Sequence, residues 1–181
     1  MKNVFSFIVF TALLLTSFSL HSQINDSEEE PQLNFDERPT PLPQNNTAYV
    51  DNIISFAKTF LGTPYLSSGA SPTGFDCSGF VSYVLGNFGF DIIHSSYGMA
   101  EYGKTVKLSE VKPGDLMFFK GSNAGSNRIG HVAMVVEVNP IDGIKFIHAS
   151  TSKGIAIDRF NGSKYYVPRY ITTKRLDYGN P

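Results

Sequence analysis

The chain has 181 residues, 41% hydrophobic and 13% aromatic, with a formal net charge of −1. That length accommodates one ordinary domain plus an extra segment. The balanced charge gives no whole-chain electrostatic basis for binding nucleic acid or an anionic membrane surface.

The chain opens on a targeting segment. Lys2 is followed by an apolar run, Val4 to Leu20, with no charged residue, and then by polar His21, Ser22 and Gln23. Residues 1–22 read as a secretory signal peptide cleaved near Ser22–Gln23. The competing reading is a membrane anchor, but the run is short and diluted by Ser and Thr. No cysteine stands at the cleavage point for lipid attachment. The expected product is exported to the periplasm, the medium or the cell wall, with no stable membrane insertion after cleavage. Residues 23–47 follow as an acidic linker punctuated by Pro31, Pro39, Pro41 and Pro43, too poor in aliphatics to pack.

Residues 48–181 are the expected domain, with thirteen basic and ten acidic side chains, a slight bias towards an anionic substrate. Val50, Ile53, Ile54, Phe56, Ala57, Phe60 and Leu61 recur near helical spacing, and Gly62 ends that helix. Thr63 to Phe75 is a loop. A second helix starts at Asp76 or Cys77 and turns Phe80, Val81, Val84 and Leu85 inwards, and Ser95 to Gly103 suggests a short third. A turn at Val111–Asp115 then introduces strands at Leu116–Lys120, His131–Val138, Ile144–Ser150, Gly154–Phe160 and Tyr165–Arg175. Helices followed by neighbouring strands predict an α+β fold, N-terminal helices packed on a small antiparallel sheet.

Cys77 is the only cysteine. In an exported chain it forms no internal disulfide, which leaves an intermolecular bridge, a structural thiol or a reactive one. Asp76–Cys77–Ser78–Gly79 delivers it to the first turn of a helix, where unpaired N–H groups and the dipole favour a thiolate and can hold an oxyanion. A nucleophilic thiol also needs a base. His94 lies in a polar loop and reads as a surface residue. His131 opens one strand and His148 lies inside the next. A four-residue loop, Asn139 to Asp142, would set Val138 opposite Gly143 and Ala133 opposite His148, placing both histidines on one face. A slip of one residue would separate them. A zinc site built from Cys77, His131 and His148 is the rival use of the same residues.

Five segments in order carry a resemblance: Gly62–Thr63–Pro64–Tyr65, Gly74–Phe75–Asp76–Cys77–Ser78–Gly79–Phe80–Val81, Pro113–Gly114–Asp115–Leu116, Gly130–His131–Val132–Ala133, and Phe146–Ile147–His148–Ala149–Ser150. Over residues 49–175 the chain resembles the NlpC-like cell-wall cysteine peptidases, a papain-related family. The resemblance implies a papain-like NlpC-type fold, with Cys77 as nucleophile, His131 as base and His148 as the residue that orients it. Tyr65 matches the tyrosine beside the nucleophile, and Asp76 and Ser78 match positions that shape the substrate site. The implied substrate is the peptide stem of peptidoglycan, cut between D-γ-glutamate and the diamino acid, with no metal or cofactor. Four positions depart from the family pattern: Ser67 and Ser68 replace an aromatic residue and a glycine, His94 stands where arginine is frequent, and Met99 where glutamine is frequent. All fall in loops expected to contact substrate and leave the bond preference open. A non-catalytic wall-binding domain on the same fold, or a cysteine-dependent amidase or acyltransferase, are the alternatives.

Overall fold

The computed structural model describes residues 46–179. The expected signal peptide and nearly all of the linker lie outside the described residues. Among those described, no helix is long and apolar enough to cross a membrane.

The first helix, α1 (Asn46–Lys58), begins two residues before the expected boundary. It buries Val50, Ile53, Ile54 and Ala57 as one stripe. Three tighter turns follow, with the N–H groups of Thr59, Phe60 and Leu61 each donating three residues back. Gly62 then takes a left-handed φ of +84° and donates to the Ile155 carbonyl. The expected loop contains a small hairpin, β1 (Ala70–Ser71) and β2 (Gly74–Phe75). Then come α2 (Cys77–Gly86) and the single turn α3 (Ser96–Met99), capped by Ser95.

The sheet has six strands: β3 (Lys104–Val106), β4 (Leu116–Lys120), β5 (Ile129–Asn139), β6 (Gly143–Ser150), β7 (Gly154–Arg159) and β8 (Tyr170–Arg175). Their order is β3-β8-β4-β5-β6-β7 and every pairing is antiparallel. This is the α+β architecture expected. Strand β3 was not foreseen. The last strand is shorter than its hydrophobic pattern, because Pro168 sits in a 3₁₀ turn, Val167–Arg169, that precedes it. Alternation along β5 divides the interior. Val132, Met134 and Val136 pack with α1 and α2, whereas Ala133 and Val135 pack with Phe119, Phe146 and Phe160. Buried Asp115 pins the turn before β4 to the neighbouring strand β8: it accepts from Arg175 Nε and Nη2 at 2.7 and 2.8 Å and from the Lys112 N–H at 2.8 Å.

The β5–β6 register differs from the expectation and still brings the histidines together. Next to the turn, Asn139 pairs with Gly143 and Val138 with Ile144, one residue off the expected pairing. Asn139 Oδ1 accepts from the Ile141 N–H at 3.1 Å and Gly143 adopts φ +73°, so the loop closes over three residues. A bulge between Val135 and Glu137 then absorbs one residue, and Met134 pairs with Ile147. The ladder ends there; continued by one step, the same register would set Ala133 opposite His148, the pairing expected, although by a different route.

Candidate active site

Asp76 caps α2 from an extended backbone, φ −89° and ψ 179°. Its Oδ1 accepts from the Gly79 N–H at 2.6 Å and from Ser78 Oγ at 3.1 Å, and lies 2.9 Å from His94 Nε2. The Asp76 N–H donates to the Gly69 carbonyl at 2.9 Å, which holds the preceding loop against the helix start. Gly79 makes that approach possible: a Cβ there would lie 2.0 Å from the Gly69 oxygen. Cys77 is therefore fixed as the first residue of α2. Burial pushes its thiol up and the Asp76 charge adds to this, while N–H groups of Val132, Ser78 and Cys77 itself pull in the thiolate's favour. Burial outweighs them, so the helix start does not by itself yield the resting thiolate expected from the sequence.

His131 and His148 meet edge to face, with His131 Nε2 3.0 Å from His148 Nδ1. His148 is 2% exposed, and its other nitrogen, Nε2, lies 3.1 Å from Asp158 Oδ2. Tyr166 donates to the same carboxylate oxygen at 2.8 Å, and Lys153 Nζ donates to Oδ1 at 2.7 Å. These hydrogen bonds, that of His148 foremost, hold the Asp158 carboxyl well below the usual range, so it only accepts. In the neutral pair of rings the Asp158 carboxylate orders the protons: His148 carries hydrogen on Nε2, and its Nδ1 accepts from His131 Nε2–H. The lone pair of neutral His131 is left on Nδ1. Burial, with His148 adjacent, pulls His131 down to about 3, so the ring stays neutral.

Tyr65, Cys77, His131, His148, Asp158 and Tyr166 share the wall of one open cavity of about 700 Å³. Burial raises the Tyr65 hydroxyl, and the nearby Cys77 and Asp76 charges add to this. Asp76 and Ser78 are not on the cavity wall. Both are engaged in the helix cap, where they position Cys77. His94 is exposed, as expected of a surface residue, and contacts Asp76 from that position. Met99 is fully buried in the main core, away from the expected substrate loop. Ser68 adopts φ +58°, the only positive φ of a non-glycine among the described residues, where the family pattern has glycine. Asp158 and Tyr166 were missed in the sequence. An acidic residue at Asp158, on the strand next to His148, was the available signal.

The arrangement places a thiol, a neutral imidazole with a free lone pair and a helix-start N–H group in reach of one cavity. That set can perform acyl transfer. It suits a metal poorly: His131 Nε2 and His148 Nδ1 are bonded to each other, and among the described residues no three Cys, His, Asp or Glu side chains converge on a metal-sized site.

Residues 62–175 match the profile of the NlpC/P60 family. The chain is 34% identical over 116 residues to the murein DD-endopeptidase MepS/murein LD-carboxypeptidase of Escherichia coli K12, covering 64% of this chain and 56% of that one. It is 39% identical over 108 residues to the γ-D-glutamyl-L-lysine dipeptidyl-peptidase of Bacillus subtilis 168, covering 59% and 34%. Among solved structures, an NlpC/P60 family protein from Bacillus cereus ATCC 10987 superposes with a TM-score of 0.62 at 30% identity, covering 70% of this chain and 40% of that one. The chain thus spans about half or less of the curated relatives' length.

Proposed function

The chain belongs to the NlpC/P60 family, and from that membership we propose that it is an exported cysteine peptidase of peptidoglycan stems, cutting the D-γ-glutamyl–diamino acid bond. The proposed roles are Cys77 as nucleophile, His131 as base and His148 as the residue that orients it, with Tyr65 on the substrate side and Asp76 and Ser78 holding the nucleophile's backbone. The observation that supports this reading is the run of hydrogen bonds from Asp158 through His148, which leaves the His131 lone pair on Nδ1 in the cavity that Cys77 lines.

In this reading the resting pair is neutral. As substrate enters, the Cys77 proton passes to His131 Nδ1 and Sγ bonds to the carbonyl carbon. The oxyanion is held at the start of α2 by backbone N–H groups that include that of Cys77. His148 accepts from His131 Nε2 throughout and stabilises the imidazolium, backed by the Asp158 charge. His131 then protonates the leaving amine as the C–N bond breaks, giving a thioester. Water, deprotonated by His131, hydrolyses the thioester and restores the thiol. A pure wall-binding domain has no use for this proton arrangement, which argues for turnover.

Digesting purified muropeptides and weighing the fragments tests the proposal. The parent is expected to release fragments ending in D-γ-glutamate, and Cys77→Ala is expected to lose on the order of 10⁵-fold in rate. Equal cleavage by the variant would refute a Cys77 mechanism. Fragments joined to an added amine rather than to water would identify an acyltransferase.

A further inference from the structure

The cavity wall is asymmetric in charge. Four cationic side chains line it, Lys120, Lys153, Arg159 and Arg169, against a single acidic one, Asp158. Asp158 is committed to His148, Lys153 and Tyr166. Lys153 is thereby neutralised, and Arg159 pairs with Asp142. Lys120 and Arg169 are different, for neither has a carboxylate partner among the described residues. Lys120 Nζ donates only to the Ala124 carbonyl, at 3.1 Å. Arg169 Nη1 donates to the Tyr165 carbonyl at 3.0 Å, and its guanidinium lies 3.9 Å from the Tyr165 ring centroid. Its Nε is buried and has no hydrogen-bond partner. A guanidinium held rigid against an aromatic ring, with an unused donor, is preorganised for a planar anion.

Strand pairing fixes where these cations stand relative to the base. Phe119 pairs with His131 on one side and Tyr170 on the other; Lys120 follows Phe119 and Arg169 precedes Tyr170. Tyr170 is thus two strand spacings, roughly 10 Å, from His131. An extended peptide covers that distance in about three residues.

We propose that Lys120 and Arg169 form a carboxylate-binding subsite of the cleft, which selects peptide substrates bearing a free carboxylate within about three residues of the bond cut. The proposal rests on the peptidase reading and narrows it: stems with free carboxylates are preferred over stems in which they are carboxamides.

The test has an arm that needs no substrate. Iodoacetate and iodoacetamide both alkylate Cys77, with an Sγ–C bond forming and iodide leaving, and differ chiefly in charge. Their rate ratio therefore reports the field of the cleft. The ratio is expected to fall about fivefold to tenfold in Lys120→Gln/Arg169→Gln at low ionic strength, and the difference from the parent to shrink with added salt. Arg169→Lys, which keeps the charge, is expected to stay near the parent ratio. In the substrate arm, the double variant is expected to lose about tenfold in kcat/KM on carboxylate stems and under about threefold on their carboxamides. An unchanged alkylation ratio overturns the subsite, as does an equal fall in Arg169→Lys and Arg169→Gln, which would mark a structural role. A falling ratio in a protein whose parent cleaves no muropeptide would uphold the anion site and sink the peptidase reading alone.

Discussion

Two carboxylates hold the two halves of the site, and they hold different things. Asp76 works locally: its cap bonds reach Ser78 and Gly79, and only His94 comes from further along the chain. Those bonds fix a backbone, and so decide where Cys77 stands. Asp158 works across the sheet and takes up His148, Lys153 and Tyr166 from three separate stretches of chain. Those bonds fix protons, and so decide which nitrogen of His131 is free. Place and protonation are controlled separately. Breaking one half should therefore leave the other measurable.

Among changes that leave the nucleophile in place, the largest expected effect comes from His131, the residue that the Asp158 half serves. His131→Gln removes the proposed proton acceptor while leaving the thiol in place, and is expected to lower kcat/KM on muropeptides by about 10⁴-fold or more. It also predicts an effect on stability. The folded protein holds His131 down to about 3, through burial and the neighbouring His148, against an ordinary value of 6.5. Between those values the unfolded chain binds a proton that the folded one refuses. Stability is then complete above pH 6.5 and declines as the pH falls towards 3. Denaturant midpoints measured across that window are expected to slope less in His131→Gln than in the parent. Parallel slopes would show that His131 is not the group resisting protonation.

The division between local and long-range control also explains what the sequence discloses. The start of α2 is legible because its determinants are neighbours: an N-cap aspartate, a cysteine and a glycine within four residues. The face shared by His131 and His148 follows from alternation only once a register is assumed, and the register assumed next to the turn was one residue off. The details of the ladder are not legible. The three-residue turn depends on Asn139 and Gly143, and the bulge at Val136 on packing of buried residues from two cores. Neither leaves a mark in a hydrophobic pattern, and their two errors of register cancel only in the folded sheet. Met99 was expected among the substrate loops because it stands where the family frequently has glutamine, yet α3 turns it into the core. Asp158 was overlooked for another reason. A strand acid is usually solvated, and only the register of β6 on β7, with His148 opposite Ala156, brings it beside the ring.

Asp158→Asn separates the halves on the sheet side. Its amide can donate to His148 Nε2 and so invert the proton order, putting hydrogen on His148 Nδ1 and on His131 Nδ1, the wrong nitrogen for a base. The expected loss in kcat is about 10- to 100-fold, less than for a residue touching the base directly. Because the fault is one of protonation, the variant should recover part of its rate at high pH, where the thiolate forms unaided. A merely structural role would lower the rate uniformly across pH.

Asp76→Ala is the converse and carries the smallest effect on rate. It removes the cap acceptor, so the N–H of Gly79 loses its partner and the first turn of α2 loosens. Replacing an N-cap aspartate by alanine costs about 1 kcal/mol, which for a domain of this size shifts the melting midpoint by about 3 °C. The rate should fall only several-fold, since the histidines keep their protons in place and the thiol is displaced slightly rather than removed. Asp76→Asn, which retains an acceptor oxygen, is expected to recover most of the lost stability. The pair of variants then sorts the two carboxylates: Asp158→Asn should lower the rate most at neutral pH, with little change in melting, and Asp76→Ala should lower melting while moving only the thiol limb of the pH profile to lower pH, because the charge that raises Cys77 is lost. If Asp76→Ala reproduced the alkaline recovery expected of Asp158→Asn, the separation of place from protonation would be wrong, and the site would have to be treated as one cooperative unit.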